Sequence, residues 1–432
     1  MKIIHGDCLE ELKRLEDNSV DAVITDPPYG LSNTKPQQVA DVLKAWVTGD
    51  TVSVPAKRGG FMGKDWDSFV PPPAVWEECM RVLKPGGHMA VFAGARTQDL
   101  MGLSIRLAGF EIRDTLGWIH SQGFPKGQDL GKIIDKKLGA ERTEVAGRGW
   151  HIRTGGGSGV TIGHFAEKYE KGDATVGREV FAPATSEAKR WTGWNSQLKP
   201  AIEPIILARK PLDGTVANNV LAHGVGGLNI DACRVGTQVS GTRTNGSAND
   251  IYGDLSYTAG ETWEPSAAGR FPANVLLDEH AAKEMDKQSG WSPSNARKRK
   301  KPKGKKGDPS EFLGTLKGTG AGYEVSDSGG ASRFFPVFKY QAKAPKKERP
   351  VIEREDGTKI QHPTVKPVAL MEWLVELIAP PGGVVLDPFA GSGTTLQAAL
   401  NKGFTPIGIE QDADYIKLIE KRLEGTCTTH KN

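Results

Sequence analysis

Apolar and polar positions fall into two regimes along the chain. At both ends, short apolar runs alternate with segments of helical spacing, and between them the alternation fades. Lys2–His5 reads as a short strand, and Leu9, Leu12 and Leu15 follow at helical spacing among charged residues. Val20–Thr25 has the composition of a buried strand. Residues 31–70 show no clear period and hold Gly59-Gly60, which predicts a long loop. An amphipathic helix over 74–83 is entered through Pro71-Pro72-Pro73 and ended by Pro85-Gly86-Gly87. Residues 89–93 form another buried strand, 96–107 a helix stopped at Gly109, and 110–120 a further strand. Such strand–helix alternation predicts a parallel α/β sheet.

Beyond Gly123 the pattern breaks down. Residues 124–195 are polar and glycine-rich, with Gly155-Gly156-Gly157 at their centre, and only 203–209 (EPIILAR) reads as a strand. Residues 211–330 lack long periodic segments, which predicts an irregular domain of short elements. Arg270-Phe271-Pro272 and Arg333-Phe334-Phe335-Pro336 form a short echo that would frame the inserted region. Order returns near Arg333. His362-Pro363-Thr364-Val365-Lys366-Pro367 leads into an apolar helix over 368–378, with Thr364 as its N-cap and Pro367 in its first turn. After Pro380-Pro381-Gly382-Gly383, a strand over 384–386 ends at Asp387. A glycine loop then opens a helix to about Asn401. A strand over 406–409 ends at Glu410, and a helix over 413–423 follows.

Composition narrows the class. The 432 residues hold 53 glycines and are 38% hydrophobic, with a mean hydropathy of −0.41, as expected of a soluble protein with much loop. No apolar run approaches a membrane span, and Met1–Asp7 lacks a signal-type apolar segment. Cys8, Cys79, Cys233 and Cys427 are dispersed, with neither metal-ligand spacing nor a disulfide framework. A reducing cytoplasm is the expected compartment and no metal site is expected. A net charge of +4 permits a polyanionic partner. The run from Arg297 to Lys306 places eight cations in ten residues: a solvated loop that also suits phosphate contact. Trp191 and Trp194 suit either stacking on nucleic acid or packing under the following strand.

Candidate chemistry gathers where strands end. Four apolar strands finish in an acid: Asp7, Asp26, Asp387 and Glu410. In a doubly wound sheet, ligands bind outside the carboxyl ends of the strands. Asp26 is followed by Pro27, Pro28 and Tyr29. The prolines have no N–H to continue a ladder and stiffen the turn, so the tetrapeptide offers a carboxylate, preset carbonyls and a stacking ring on one rigid support. That support suits a planar group bearing an exocyclic amine. Asp387 is followed by Pro388-Phe389-Ala390-Gly391-Ser392-Gly393-Thr394. The two glycines allow close backbone approach at a helix N-terminus, which attracts a carboxylate or phosphate. The P-loop lysine is missing, as is the third glycine of a dinucleotide loop. Glu410, one βα unit later, stands where an acid binds ribose hydroxyls. A nucleoside without pyrophosphate is implied, and S-adenosyl-L-methionine fits.

The two motifs, 387–394 and 26–29, resemble the signatures of amino-methylating DNA methyltransferases, which move a methyl group from S-adenosylmethionine to adenine N6 or cytosine N4. Their order, aromatic turn first and cofactor loop last, resembles the β group, a circular permutation of the usual domain. The resemblance implies a circularly permuted, Rossmann-like α/β sheet with an irregular inserted target-recognition region. Asp7 would meet the cofactor adenine, and the segment carrying Thr364 and Lys366 would lie beside the methionine end. The domains expected are 1–123 as the catalytic half, 124–195 as an irregular insertion and 196–210 as a returning strand. Residues 211–332 would be the target-recognition region with its basic loop, and 333–432 the cofactor-binding half. The C-terminal strands would stand first in the sheet, the Asp7 and Asp26 strands would follow, and the chain ends would meet.

In that reading Asp26 and the Pro27 carbonyl accept the N–H bonds of a flipped base while Tyr29 stacks on it. Asp at the first position is the family's more usual choice for adenine, so N6-adenine is preferred over N4-cytosine. Double-stranded DNA in a bacterial or phage-infected cell is the expected partner, with a restriction endonuclease and a homodimer as possible companions. The competing readings are methyl transfer to RNA or a protein amide, and a DNA-binding relative without catalysis.

Overall fold

The computed structural model describes residues 1–32, 34–55, 67–120, 127–151, 176–236, 243–244, 262–263, 269–294, 327–338, 349–354 and 356–424. Two compact units divide the chain, one of Met1–Ser121 with Ile202–Asn432 and one of Gln122–Ala201.

The larger unit is built on nine strands. In chain order they are β1 (Lys2–His5), β2 (Val20–Thr25), β3 (Leu83–Phe92), β4 (Glu111–Ile119), β5 (Ile202–Arg209), β6 (Val275–Asp278), β7 (Val337–Phe338), β8 (Val384–Asp387) and β9 (Thr405–Glu410). They lie side by side as β1-β9-β8-β2-β3-β5-β4-β6-β7. All pairs are parallel except those of β5, which runs antiparallel between β3 and β4. This is a Rossmann-like α/β sheet in permuted order.

Both faces of the sheet are covered, and β2 shows why its six residues are all buried. Val23 packs into one core with Leu12, Trp76, Met89, Met101 and Ile105. Ala22 and Ile24 pack into the other with Phe92, Ile205, Leu374 and Val385. A strand buried on two faces reads as a continuous apolar run, as this one does. The helix Val368–Ile378 buries seven of its eleven residues against the second face. Each such aliphatic side chain contributes about 1.5–3 kcal/mol.

Four expectations are corrected. The C-terminal strands β8 and β9 do not stand first in the sheet: they lie between β1 and β2, so the Asp7 and Asp26 strands are separated. The first strand does lie beside a C-terminal one, since Lys2–His5 pairs with β9 from Ile407 to Glu410. The predicted loop over 31–70 contains the helix Pro36–Val47, which buries Val42 and Trp46. Pro85-Gly86-Gly87 does not separate helix from strand: β3 begins at Leu83, and a register shift between Val20 and Ala22 accommodates the proline and glycines. The cap of the helix Val368–Ile378 is Pro367, not Thr364, with φ preset at −62°.

The irregular territory is also more ordered than its sequence implies. β6 and β7 join the main sheet, and the helices Val216–His223 and Glu279–Ser289 lie nearby in sequence. The arginine echo precedes these two strands: Arg270 Nη1 donates to the Arg333 carbonyl over 3.1 Å, and both guanidinium groups lie over the Phe334 ring. In the smaller unit, Val145–His151 pairs antiparallel with Val176–Phe181, beside the helices Leu130–Lys137 and Ser186–Arg190. There Trp191 and Trp194 meet edge to face at 5.1 Å, both exposed. Gly59-Gly60, Gly155–Gly157, the basic run 297–306 and Cys427 lie outside the described residues. Among the described residues, no helix is long and apolar enough to cross a membrane.

Candidate active site

Strand β2 delivers Asp26 to the carboxyl edge of the sheet, and the two prolines end the strand there. The turn that follows is fixed from two sides. Asp67 Oδ1 accepts the backbone N–H groups of Tyr29 (2.7 Å) and Gly30 (2.9 Å), and the Thr97 hydroxyl donates to the Tyr29 carbonyl over 2.6 Å. Gly30 sits at φ +66°, where an added Cβ would come within 2.7 Å of the Val70 nitrogen. Only glycine fits that corner.

Both oxygens of Asp26 carry a protein donor. The Tyr29 hydroxyl donates to Oδ1 and the Lys366 ammonium to Oδ2, each over 2.7 Å. Lys366 Nζ also donates to the Tyr29 hydroxyl over 3.1 Å and lies 3.2 Å from Glu203 Oε2. Its ammonium stands 4.8 Å from the centre of the Phe92 ring and 5.4 Å from that of Tyr29. Burial works against the Lys366 charge, but Asp26 and Glu203 outweigh it and hold the ammonium above its usual range. Burial, and then the Asp26 charge, push the Tyr29 phenol well up. Beyond Glu203, His120 Nε2 lies 3.7 Å from Oε1.

One strand away, β8 delivers the glycine loop. Asp387 is buried, and its Oδ1 accepts the Thr25 hydroxyl (2.6 Å) and the Phe389 N–H (3.1 Å). Burial raises its carboxyl to about 6. Gly391 and Gly393 take φ of +53° and +77°. An added Cβ would meet His362 Nε2 at 3.0 Å in the first case and Ile419 Cγ2 at 3.0 Å in the second. Ala390, Ser392 and Thr394 are buried behind the loop and Phe389 is half-buried beside Trp76. Arg422, itself buried, donates from Nε to the Ser392 carbonyl over 2.6 Å and from Nη1 to Gln397 Oε1 over 2.9 Å.

Glu410 closes the far side. Its Oε2 accepts the Gly391 N–H and its Oε1 the Asp412 N–H, each over 2.8 Å. Burial raises this carboxyl to about 7. Asp7 lies next door, because the Gly6 N–H donates to the Glu410 carbonyl over 3.0 Å. The Asp7 carboxylate caps the helix Cys8–Leu12 through Leu9 and Glu10.

The fold thus brings Asp26, Tyr29, Lys366, Asp387, the glycine loop, Glu410 and Asp7 along one edge formed by β1, β9, β8 and β2. Thr364 is exposed, and its carbonyl faces the His362 ring rather than a helix end. Lys366 engages Asp26, while His362 of the same segment lies against Gly391 of the glycine loop. Asp67, Thr97, Glu203, His362 and Arg422 were not legible as site residues. Arg422 had a signal: it falls on the apolar stripe of Tyr415, Leu418 and Ile419 at helical spacing. Glu203 had none, because nothing in EPIILAR says that the strand runs antiparallel and starts at the active edge.

Residues 20–421 match the family described as DNA methylase. The DNA adenine methyltransferase YhdJ of Escherichia coli is 48% identical over 63 residues, 15% of this chain and 21% of its own length. The type II methyltransferase M.HindIII of Haemophilus influenzae is 23% identical over 248 residues, 52% of this chain and 64% of its own. The chain therefore spans less than two thirds of the length of these relatives. The crystal structure of the M1.HpyAVI–SAM complex aligns over 98% of both chains, at 15% identity and a TM-score of 0.38.

Proposed function

The chain belongs to the DNA methylase family, and on that premise we propose that it methylates the exocyclic amine of a base flipped out of double-stranded DNA, adenine N6 in particular. The observation carrying this reading is that the aromatic turn and the glycine loop leave adjacent paired strands, β2 and β8, joined by the Thr25–Asp387 hydrogen bond.

The residues present fit S-adenosylmethionine. Gly391 and Gly393 take the positive φ that shapes the loop, and the N–H groups of a helix start there. Each Glu410 oxygen accepts one backbone N–H and keeps lone-pair capacity for a ribose hydroxyl. When bound, the cofactor supplies a methyl group on a sulfonium, a strong leaving group. Asp26 and the Pro27 carbonyl accept the N–H bonds of the target amine and aim its lone pair, so this chain's contribution is positioning. Tyr29 offers the stacking face for a flipped base. Asp7 would meet the cofactor adenine, and residues 211–332 would serve target recognition.

The test is incubation with radiolabelled cofactor and, in parallel, unmodified DNA, RNA or protein, followed by nucleoside separation of the labelled nucleic acid. Label in N6-methyladenine is expected. Label in N4-methylcytosine would overturn the choice of base, and label only in RNA or protein the choice of substrate. Asp26→Ala should abolish transfer while cofactor binding persists.

A further inference from the structure

A carboxylate oxygen already held by a cation is a poorer acceptor for a further donor. Tyr29 occupies Asp26 Oδ1 and Lys366 occupies Oδ2, both at 2.7 Å. A target N–H arriving at Oδ2 finds a free lone pair but shares the oxygen with the ammonium charge, so its hydrogen bond strengthens when that donor leaves. Lys366 is the one with somewhere to go. Its ammonium already lies 3.2 Å from Glu203 Oε2, a carboxylate carried to the same edge by the antiparallel strand β5. The side chain of Lys366 is only 10% exposed, against 20% for Asp26 and 29% for Glu203. A cation this buried cannot leave one carboxylate without another to receive it. The charged and titratable groups around it are Asp26 and Tyr29 from the β2 turn, Glu203 from β5 with His120 behind it, and His362 from its own segment.

We propose that Glu203 is a positioning residue for methyl transfer: it receives the Lys366 ammonium when the target amine takes Asp26 Oδ2. In the free protein the ammonium holds the place of the amine, and Glu203 makes that hold reversible. This rests on the reading of Asp26 as amine acceptor. No bond to carbon forms or breaks in the exchange; the ammonium keeps its protons and changes carboxylate partners.

Single-turnover transfer from the preformed cofactor complex to DNA tests it, with cofactor affinity measured in parallel. Glu203→Gln should slow transfer by roughly tenfold or more at saturating DNA, with cofactor affinity within about twofold, since Lys366 is left bound to Asp26 alone. Glu203→Asp, which keeps the carboxylate, should recover most of the rate. The double variant Glu203→Gln/Lys366→Met should be faster than Glu203→Gln, because the competitor for Oδ2 is gone. A merely structural Glu203 would give a double variant no faster than the slower single one, and that result, or a wild-type rate in Glu203→Gln, overturns the proposal. Should Glu203→Gln lose cofactor binding, the Glu203→Asp rate decides: a rate as low as that of Asp26→Ala counts against the proposal, and one near wild type supports it. Asp26→Ala separates the two ideas. If it transfers normally, the acceptor reading fails; if it is inactive while the Glu203 variants behave as wild type, only the present inference fails.

Discussion

The Thr25 hydroxyl donates to Asp387 over 2.6 Å, and both side chains are buried. The last residue of the strand before Asp26 is thereby tied to the first residue of the glycine loop. The bond lies inside the sheet, yet it fixes the spacing between the two halves of the site. Thr25→Val should cost about 1–3 kcal/mol, the penalty for leaving a buried acceptor short of a donor. Because Asp387 is charged only above about pH 6, the loss should be larger at alkaline than at acid pH. Urea unfolding at two pH values checks both the size and the direction.

Asp67 holds the aromatic turn through two backbone N–H groups. Asp67→Ala should lower the turnover number by about tenfold or more while leaving cofactor affinity unchanged, since Asp67 acts on the aromatic turn and misplacement at the reacting centre is costly. Steady-state kinetics with cofactor titration separates the two quantities.

Burial holds the Glu410 carboxyl at about 7, above its ordinary 4.5. The folded chain keeps this proton over that interval while the unfolded chain releases it. This group's contribution to stability is therefore complete below pH 4.5 and lost as the pH rises through about 7. Cofactor binding should run the other way, because ribose hydroxyls are best accepted by the ionised form. Affinity should rise by about tenfold between roughly pH 6 and pH 8, and Glu410→Gln should flatten the profile. Calorimetric titration across that range is the measurement.

Gly393 combines φ +77° with Ile419 packed 3.0 Å from where a Cβ would stand. Gly393→Ala should destabilise the fold by about 1–2 kcal/mol for the left-handed conformation alone, with further loss from displacing Ile419. Thermal melting with and without cofactor would show the effect, and the cofactor-induced rise should shrink as well.

What the sequence made legible follows from what kind of signal each feature leaves. Strands buried on both faces, such as Val20–Thr25, are written as continuous apolar runs, and so are read directly. The sheet order was half legible: the resemblance to a permuted family implied that the ends meet, but not that β8 and β9 separate β1 from β2. Short strands such as Val275–Asp278 carry too few residues for a period, so an entire edge of the sheet passed as irregular. The helix Pro36–Val47 did have its signal, with Val39, Val42, Leu43 and Trp46 at helical spacing, and the glycines that follow obscured it. Motif residues announced themselves by type and order. Their supports, Asp67, Glu203 and Arg422, did not, because a supporting side chain is defined by what the fold brings opposite it.

The neighbours of β2 are made at very different times. β3 is complete about 70 residues after it, but β8 only about 360 residues after it, and β9 later still. A growing chain therefore carries its most buried strand with one edge unpaired while about 360 further residues are added. Such an edge is a template for pairing with another chain. Pauses late in translation should accordingly favour aggregation more than early ones. The same separation means that Asp26 is made about 360 residues before the loop that would serve it.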